Sequence, residues 1–514
     1  MSRKRGGAWP AALAIAALAG ALTLFAFAPF GFAGIAPVAF GVLAWLWQRA
    51  PTAREGAWLG FAFGAGLFGA GVSWLTIALE TFGGMPAALA VIAVGALCAF
   101  LALYPALAGY VAIRFTAPGS WQRALAVAGA FVLAEWLRGW VFTGFPWLTL
   151  GYSQLPGSPL AWFAPLGGVW LVSLAVALVG ALGALALDAL EARRPRMLAA
   201  CLAALAALPL TGLALSRVEW TAPSGAPLAV SLVQGNVEQN LKFDVAFREK
   251  TFDLYLALAR ESRGRLVVFP ESAFPMAHDE VPAEVTAALA RIARERGGDM
   301  LLGLFLFEPP LPGERWPQVY NSVVTLGAAP PQAYRKHHLV PFGETIPLQP
   351  LVGWLMEKVL AIPVGDQARG APDQPPLAVA GARVAVNICY EDAFGDELRA
   401  GAASAGMLVN VTNDAWYGRS IAARQHNQIA AMRALELGRP MLRATNTGIT
   451  SAIDHRGNVV AELPWFTRGI LEVVIAPRGG ATPYLRFGDA IAVAVAGLAL
   501  ALGVASGRGG RRGR

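Results

Sequence analysis

The sequence predicts a two-part fold, in which a membrane-embedded helical bundle is joined to an α/β domain. Three observations support this prediction. The chain of 514 residues is 56% hydrophobic and only 14% charged, whereas soluble domains average about 45–50% apolar and about 25% charged residues. Long apolar runs are confined to the two ends of the sequence, and short β-rich runs alternate with helical patterns between them. Intrinsic disorder is excluded, because it requires low hydrophobicity and dense charge.

The apolar runs predict transmembrane helices. A helix that crosses a bilayer needs about 20 mostly apolar residues. Seven such runs precede residue 218, and one more lies near the carboxyl terminus. Residues 1–28 also resemble a cleaved signal peptide, but Pro29 would then be the first mature residue, so we expect a retained helix. The predicted spans are 9–28, 30–48, 57–79, 84–113, 124–143, 159–187, 197–216 and 489–506.

The positive charges indicate the orientation of these helices. The formal net charge of +8 divides into +7 for residues 1–217, −2 for residues 218–488 and +3 for residues 489–514. Basic residues precede span one and follow spans two, four, six and eight, and the positive-inside rule places that face in the cytoplasm. We therefore predict seven helices in the first segment, an extracytoplasmic domain in the second, and an eighth helix with a basic tail in the third. Both termini are expected in the cytoplasm. The surplus charge lies outside the middle segment, which argues against a nucleic-acid partner.

The sequence pattern of the middle segment predicts an α/β domain. Alternating strands and helices predict layers with buried sheets. The helical patterns cover residues 245–263, 282–296 and 421–437. The strand patterns cover residues 228–233, 265–269, 300–307, 321–326, 383–388, 407–412, 441–445 and 451–454.

Cys389 is the cysteine of interest. The other two, Cys98 and Cys201, lie in predicted spans, so Cys389 has no disulfide partner within the middle segment. Such a cysteine is either buried and inert or a reactive thiol. It follows a strand, where α/β domains display catalytic groups, and two carboxylates follow it. These features favour the reactive thiol.

A cysteine nucleophile needs a base for its proton and a group that stabilises the oxyanion. None of the five histidines forms a Cys–His signature or has zinc-site spacing, so we expect no metal site and no cofactor. Carboxylates and lysines offer another solution. Glu271 ends the strand run at 265–269, and Lys336 lies in a basic and aromatic stretch. Taken alone, Glu271 is better explained as a helix-start carboxylate and Lys336 as a surface cation, because exposed charge is the default.

Together the three motifs are specific. Phe269-Pro270-Glu271-Ser272, Tyr334-Arg335-Lys336 and Cys389-Tyr390-Glu391 resemble the carbon–nitrogen hydrolase (nitrilase) superfamily, whose domain is an αββα sandwich with a Glu-Lys-Cys triad. With eight predicted spans, the chain resembles the apolipoprotein N-acyltransferase family of that superfamily. Gly235 departs from the family pattern, which often has proline there. Further matching stretches are 144–147 (GFPW), 234–239 (QGNVEQ), 341–344 (PFGE), 412–418 (TNDAWYG) and 433–440 (RALELGRP).

The resemblance implies a function and a set of roles. Cys389 would attack a phospholipid ester, Glu271 would move the proton, and Lys336 would stabilise the thiolate and the oxyanion. The acyl group would then pass to the amine of a diacylglyceryl-modified apolipoprotein. Glu344 and Glu391 would be supporting carboxylates, and Tyr390 would line the pocket. The implied location is the bacterial inner membrane, with the catalytic domain on the periplasmic side.

Lipid substrates imply contacts with the bilayer. The apolar segment 348–363, which contains Trp354, is either a core helix or an arm that reaches lipid over the active site. Trp416 and Tyr417 are either core aromatics or interfacial anchors. Glu135 and Arg138 are three residues apart, so they lie on one face of a helix. They are either a structural ion pair or a contact to a lipid headgroup. We also expect substrate or lipid contacts at Trp147 and Phe342.

Two rival functions stay open at this point. A membrane-anchored amidase or nitrilase would transfer the acyl group to water and could use the same three residues. A transporter or receptor with a degenerate nitrilase-like domain would not need all three, and it would be expected to show more charges or broken helices near the middle of the membrane.

Overall fold

The computed structural model describes residues 8–242, 244–310, 312, 316–346 and 367–509. The chain forms two compact units, which divide between Glu219 and Trp220 and again between Arg486 and Phe487. The first unit is helical and the second is built on β-sheets. The segment 348–363, including Trp354, lies outside the described residues.

Long apolar helices form the first unit. Alanine and leucine favour helix, and the side chains of Thr52 and Ser120 cap two of the helices by accepting hydrogen bonds from the third helical residue. The helices are Ala8–Leu22, Ile35–Arg49, Ala53–Gly71, Ala87–Phe115, Trp121–Arg138, Ala164–Glu191, Pro195–Leu215 and Ala490–Gly509.

Glycines allow two of these helices to pack with their backbones in contact. A Cβ atom on Gly60 would lie 2.1 Å from the carbonyl oxygen of Pro105, and one on Gly109 would lie 2.3 Å from that of Gly56. No side chain fits at such distances, so glycine is required at these positions. Small residues serve the same purpose at helix contacts inside membranes.

Helices occupy all eight ranges that the sequence predicts as spans. Among the described residues, four are long and apolar enough to cross a membrane, and a fifth is added if the two helices 53–71 and 75–82, bent by 57°, form one span. The helix Ile35–Arg49 has only 15 residues, and the apolar part of the last helix, Ala490–Ala505, is also short. The number of eight spans therefore stays a prediction. The four spans are Trp9–Ala26, Ala87–Phe115, Pro159–Glu191 and Pro195–Leu215.

Two six-stranded sheets form the centre of the second unit. The strands are β1 (Thr221–Pro223), β2 (Leu228–Gln234), β3 (Leu266–Val268), β4 (Asp299–Glu308), β5 (Gln318–Gly327), β6 (Ala333–Arg335), β7 (Leu377–Val379), β8 (Ala382–Ile388), β9 (Met407–Thr412), β10 (Met441–Thr445), β11 (Ser451–Ile453), β12 (Val459–Glu462), β13 (Gly469–Ile475) and β14 (Arg478–Gly480). The first sheet has the order β13-β2-β3-β4-β5-β6 and the second has the order β12-β11-β10-β9-β8-β7. Neighbouring strands are parallel from β2 to β4 and from β8 to β10, and antiparallel elsewhere in the sheets.

The sheets face each other across one apolar core. Val230 and Leu266 of the first sheet share this core with Ile388 and Val409 of the second. A second core lies on the other face of the first sheet, where the helices Arg248–Glu261 and Ala283–Glu295 pack. The helices Gly395–Ala403 and Ala422–Leu437 pack on the second sheet. The four layers are the αββα sandwich that the sequence predicts.

Candidate active site

Glu271 lies where the first sheet ends. It follows β3 after Phe269 and Pro270, and its side chain is buried. Its carboxylate oxygen Oε1 accepts a hydrogen bond of 2.8 Å from the Asn321 amide and lies 3.5 Å from Nζ of Lys336. The next residue, Ser272, has a φ of +45°. The chain thus turns sharply after Glu271 and leaves the carboxylate facing Asn321 of β5.

Lys336 is a buried cation between two carboxylates. It follows the edge strand β6, and its backbone N–H donates to the carbonyl of Asn321 at 2.8 Å. Its side chain is 1% exposed, with Nζ 2.7 Å from Oε1 of Glu344 and 3.5 Å from Glu271. Burial by itself lowers the pKa of Lys336, but the carboxylates of Glu344 and Glu271 outweigh it and raise that pKa. The side chain therefore stays an ammonium ion at neutral pH.

Glu344 is held rigidly beside Lys336. It lies in the turn between Pro341 and Thr345, where Phe342 has a φ of +64°. One carboxylate oxygen accepts from Lys336, and the other accepts from the backbone N–H of Val340 at 2.8 Å. Because both oxygens are engaged, the carboxylate can hold Lys336 in place but has little freedom to do other work.

Cys389 joins this cluster from the second sheet. It follows β8 directly and has a φ of +55°, a conformation that costs about 1–3 kcal/mol for a residue other than glycine. Its carbonyl accepts hydrogen bonds from Asn410 at 3.1 Å and His426 at 3.3 Å. Burial and the carboxylate of Glu271 raise the pKa of the thiol, and the ammonium of Lys336 acts against them. Cys389, Glu271 and Lys336 thus interact electrostatically, and the sulfur keeps its proton at neutral pH.

Glu391 links the two sheets. Its carboxylate accepts from the backbone N–H groups of His337 and His338 at 2.7 and 3.0 Å, and from that of Ile388 at 2.6 Å. The Tyr334 hydroxyl donates to the same carboxylate at 3.0 Å. The segment that follows Lys336 is thereby tied to the turn that carries the cysteine. In this structure, Glu391 holds the main chain next to Lys336 and the main chain next to Cys389.

Tyr390 belongs to an aromatic cluster beside the cysteine. Its ring packs edge-on against Phe394 with a centroid distance of 5.0 Å, and His338 stacks on the same Phe394 ring at 3.5 Å. The His338 ring also contacts the carboxylate of Glu397 at 2.9 Å. Tyr390 is therefore buried on one wall of the site.

A buried charge network lies behind the cysteine. The two ring nitrogens of His426 lie 2.9 Å from Asp392 and 2.8 Å from Asp414. The Arg443 guanidinium lies 2.5 Å from Asp392 and 3.7 Å from Asp414. Burial alone lowers the pKa of His426, but the two carboxylates outweigh burial and the opposing charge of Arg443, and raise that pKa to about 9. An imidazolium ion at this position donates to both carboxylates.

Sequence reasoning missed several of these residues. Asn321 binds Glu271 with its side chain and Lys336 with its backbone, and Lys242 donates to the carbonyl of Glu271 at 2.9 Å. A polar Asn321 within an apolar strand was the available signal. His426 gave no signal, because a buried helical position is visible only in the folded chain.

The lipid-contact predictions fall into two groups. Phe342 is 54% exposed, Trp416 is 40% exposed and Tyr417 is half-buried, all within the second unit. Trp147 lies in the first unit, where it is buried and packs on Trp74 with a centroid distance of 5.5 Å. The exposed side chains are available to a lipid surface, and all of these assignments stay predictions.

Glu135 and Arg138 are buried in the first unit. Arg138 donates to the carbonyls of Phe145 and Trp147, the latter at 2.7 Å, and to the Thr149 hydroxyl at 3.2 Å. Glu135 accepts from a backbone N–H in the same loop at 2.9 Å, and the two side chains lie 3.9 Å apart. These contacts favour the structural interpretation of the pair over contact with a lipid headgroup.

Within the described ranges, no group of His, Cys, Asp or Glu side chains could hold a metal ion.

Comparisons with known proteins assign the chain to a family. Residues 19–182 match the apolipoprotein N-acyltransferase N-terminal domain, and residues 202–484 match the carbon-nitrogen hydrolase domain. The apolipoprotein N-acyltransferase of Nitrosomonas europaea is 48% identical over 97% of this chain and 98% of its own length. That of Chromobacterium violaceum is 42% identical, covering 96% of this chain and 94% of its own length. Both domains of the family match, one after the other, and the similarity to the relatives extends along nearly the full length of the chain. The chain therefore belongs to the apolipoprotein N-acyltransferase family within the carbon–nitrogen hydrolase superfamily.

Proposed function

We propose that this chain transfers a fatty acyl chain from a phospholipid to the amino-terminal amine of the diacylglyceryl-cysteine of apolipoproteins. The observation that carries the proposal is the electrostatic interaction of Cys389 with Glu271 and Lys336, the latter paired with Glu344. It combines a nucleophile, a carboxylate that can take its proton and a buried cation for an oxyanion. The names of the relatives supply the acceptor.

In the first half-reaction, Cys389 attacks the ester carbonyl of the phospholipid. Its thiol proton passes to the carboxylate of Glu271, and the sulfur forms a bond to the carbonyl carbon. The oxyanion of the tetrahedral intermediate is stabilised by the Lys336 ammonium. The intermediate then collapses, the ester C–O bond breaks, and the leaving alkoxide takes the proton from Glu271. The products are a lysophospholipid and a thioacyl-enzyme.

In the second half-reaction, the neutral amine of the lipoprotein attacks the thioester. Glu271 accepts one amine proton, and Lys336 again stabilises the oxyanion. The carbon–sulfur bond breaks, and the Cys389 thiolate regains a proton from Glu271. A raised thiol pKa suits this cycle, because the free enzyme keeps the sulfur protonated until Glu271 accepts its proton.

The proposed setting is the bacterial inner membrane. The apolar helices of the first unit fit a membrane protein, and the distribution of basic residues between the predicted spans supports cytoplasmic termini. The second unit, 218–488 in the predicted division, then lies on the periplasmic side with its lipid substrates. Hydrolysis of an amide or ester is not favoured, because the relatives that match the whole chain are acyltransferases.

The test is mass spectrometry of the Cys389 peptide after the full-length protein meets phospholipid without acceptor. We expect an added acyl group that disappears when a diacylglyceryl-cysteine peptide is supplied. Cys201→Ala, which removes a buried cysteine of the helical unit, should behave like the unmodified protein. No adduct, together with transfer activity in Cys389→Ala, would refute the mechanism. Loss of the adduct in buffer as fast as with peptide would favour the hydrolase.

A further inference from the structure

Lys242 is a second buried lysine beside the proposed catalytic residues. It ends the helical turn Gln239–Lys242, which follows β2, and only 4% of the residue is exposed. Lysine is among the residues least often buried, so a buried one requires a partner. Neither the sequence pattern nor the proposed mechanism uses this side chain.

Amide side chains from the second sheet hold the loop that carries Lys242. Asn446 accepts from the backbone N–H of Val237 at 2.9 Å and donates to the carbonyl of the same residue at 2.8 Å. Asn413 donates to Gln239 at 2.7 Å and accepts from Asn446 at 3.1 Å. These bonds fix the loop across the two sheets, so the position of Lys242 is determined by its surroundings.

The ammonium group of Lys242 binds Glu271 at its main chain. Nζ donates to the Glu271 carbonyl at 2.9 Å, directly before the turn in which Ser272 has a φ of +45°. The carboxylate of Glu271 is bound separately by Asn321 and lies near Lys336. Glu271 is therefore held at both its backbone and its side chain, by two different lysines.

The charge of Lys242 also acts on the reacting groups. Burial lowers the pKa of Lys242 to about 8, against the opposite effects of Glu271 and Cys389. The ammonium thus interacts electrostatically with the Glu271 carboxylate and the Cys389 sulfur, besides its hydrogen bond to the Glu271 main chain. The site then contains Glu271 and Glu344 balanced by Lys336 and Lys242, and the loss of one cation leaves an excess of negative charge.

We propose that Lys242 is a positioning residue for acyl transfer, whose ammonium fixes the main chain of Glu271 and supplies the second positive charge beside Glu271 and Cys389. The inference rests on the proposed function. With Lys242 charged, its ammonium favours the negative charge that develops on the Cys389 sulfur. With Lys242 neutral, this effect is lost while the hydrogen-bonded loop remains.

The experiment measures single-turnover acylation of Cys389 by phospholipid alone, from pH 5 to pH 10, with the full-length protein. The variants are Lys242→Met, which lacks the charge and the donor, Lys242→Gln, which keeps only a donor, and Lys242→Arg, which keeps both. Lys250→Met is the matched control, because Lys250 is an exposed lysine of the same unit. Thermal melting of each variant reports any general loss of structure.

We expect Lys242→Met and Lys242→Gln to acylate about tenfold more slowly than the unmodified protein below pH 7, given the effect of a neighbouring opposite charge. The deficit should shrink above pH 9, because Lys242 itself is then neutral. Lys242→Arg should stay within about threefold of the unmodified rate and exceed it at high pH, since arginine keeps its charge. Lys250→Met should match the unmodified protein.

Two results would overturn the inference. One is a pH-independent deficit that is equal in all three Lys242 variants and follows their melting temperatures, which would indicate packing alone. The other is an unmodified rate in Lys242→Met or Lys242→Gln. A failure of the proposed function can be distinguished from a failure of this inference, because in the former case the unmodified protein would form no thioester on Cys389.

Discussion

His426 is predicted to stabilise the second unit in a pH-dependent way. It is buried between Asp392 and Asp414, with Arg443 facing the same carboxylates. The perturbation is His426→Gln, which removes the positive charge and one of the two ring donors. The pKa of His426 rises from 6.5 to about 9 in the folded chain because of the two carboxylates, against burial and Arg443. A rise of this size corresponds to about 3 kcal/mol of folding free energy.

The stabilisation by His426 is greater at low pH, because folding raises the pKa of its imidazole. A group whose pKa is higher in the folded state binds its proton more tightly there, so low pH stabilises the fold. The contribution of His426 is fully present below pH 6.5 and is lost as pH rises through about 9. His426→Gln should therefore be destabilised by about 3 kcal/mol at pH 6 and by much less at pH 10.

The assay is thermal unfolding of the full-length protein in detergent, followed by tryptophan fluorescence at both pH values. A loss of about 3 kcal/mol lowers the melting temperature of a domain of this size by roughly 6–12 °C. His278→Gln, at an exposed position, is the control and should be unchanged at either pH. A melting difference for His426→Gln that is the same at pH 6 and pH 10 would refute the reasoning.

Two further predictions concern buried ion pairs. Glu344→Gln removes the carboxylate 2.7 Å from Nζ of Lys336, so we expect about 3–5 kcal/mol of destabilisation and about a hundredfold slower acylation of Cys389; an unmodified single-turnover rate would contradict this. Arg138→Met removes the donor to the loop carbonyls of the helical unit and should lower the melting temperature by at least about 6 °C, whereas Arg54→Met, at an exposed position, should not. A melting temperature unchanged in Arg138→Met, with a raised KM for phospholipid, would favour a headgroup contact instead.

The residues around Cys389 were predictable where a strand ends in a polar motif. Glu271 and Cys389 each follow a short, nearly continuous apolar run, which is typical of a buried strand. The boundaries of β4, β8 and β9 agree with the strand patterns for the same reason. Lys336 follows the short edge strand β6, and it was identified from the resemblance of its motif. The structure confirms the layered fold. This fold was predictable because the alternation of strands and helices leaves few other arrangements.

Other features depend on contacts that no local pattern encodes. Short edge strands such as β6, β7 and β12 have too few residues for a period to be visible. Arg123 is one of the basic residues that follow the fourth predicted span. In the structure it is buried and donates to the carbonyls of Trp47, Ala50 and Thr116. Its role follows from the packing of three chain segments, which the sequence of its own helix does not contain.

The division of the reactive groups between the two sheets has a consequence for biosynthesis. Glu271 and Lys336 extend from the first sheet. Cys389 extends from the second sheet and follows Lys336 by 53 residues and Glu271 by 118 residues. A partly folded intermediate with only one sheet holds either a thiol without its base and cation, or the charges without a thiol. Under the proposed mechanism, reactivity toward acyl esters arises only when the sandwich closes, and a nascent chain in a lipid-rich environment is protected from premature acylation until both sheets have formed.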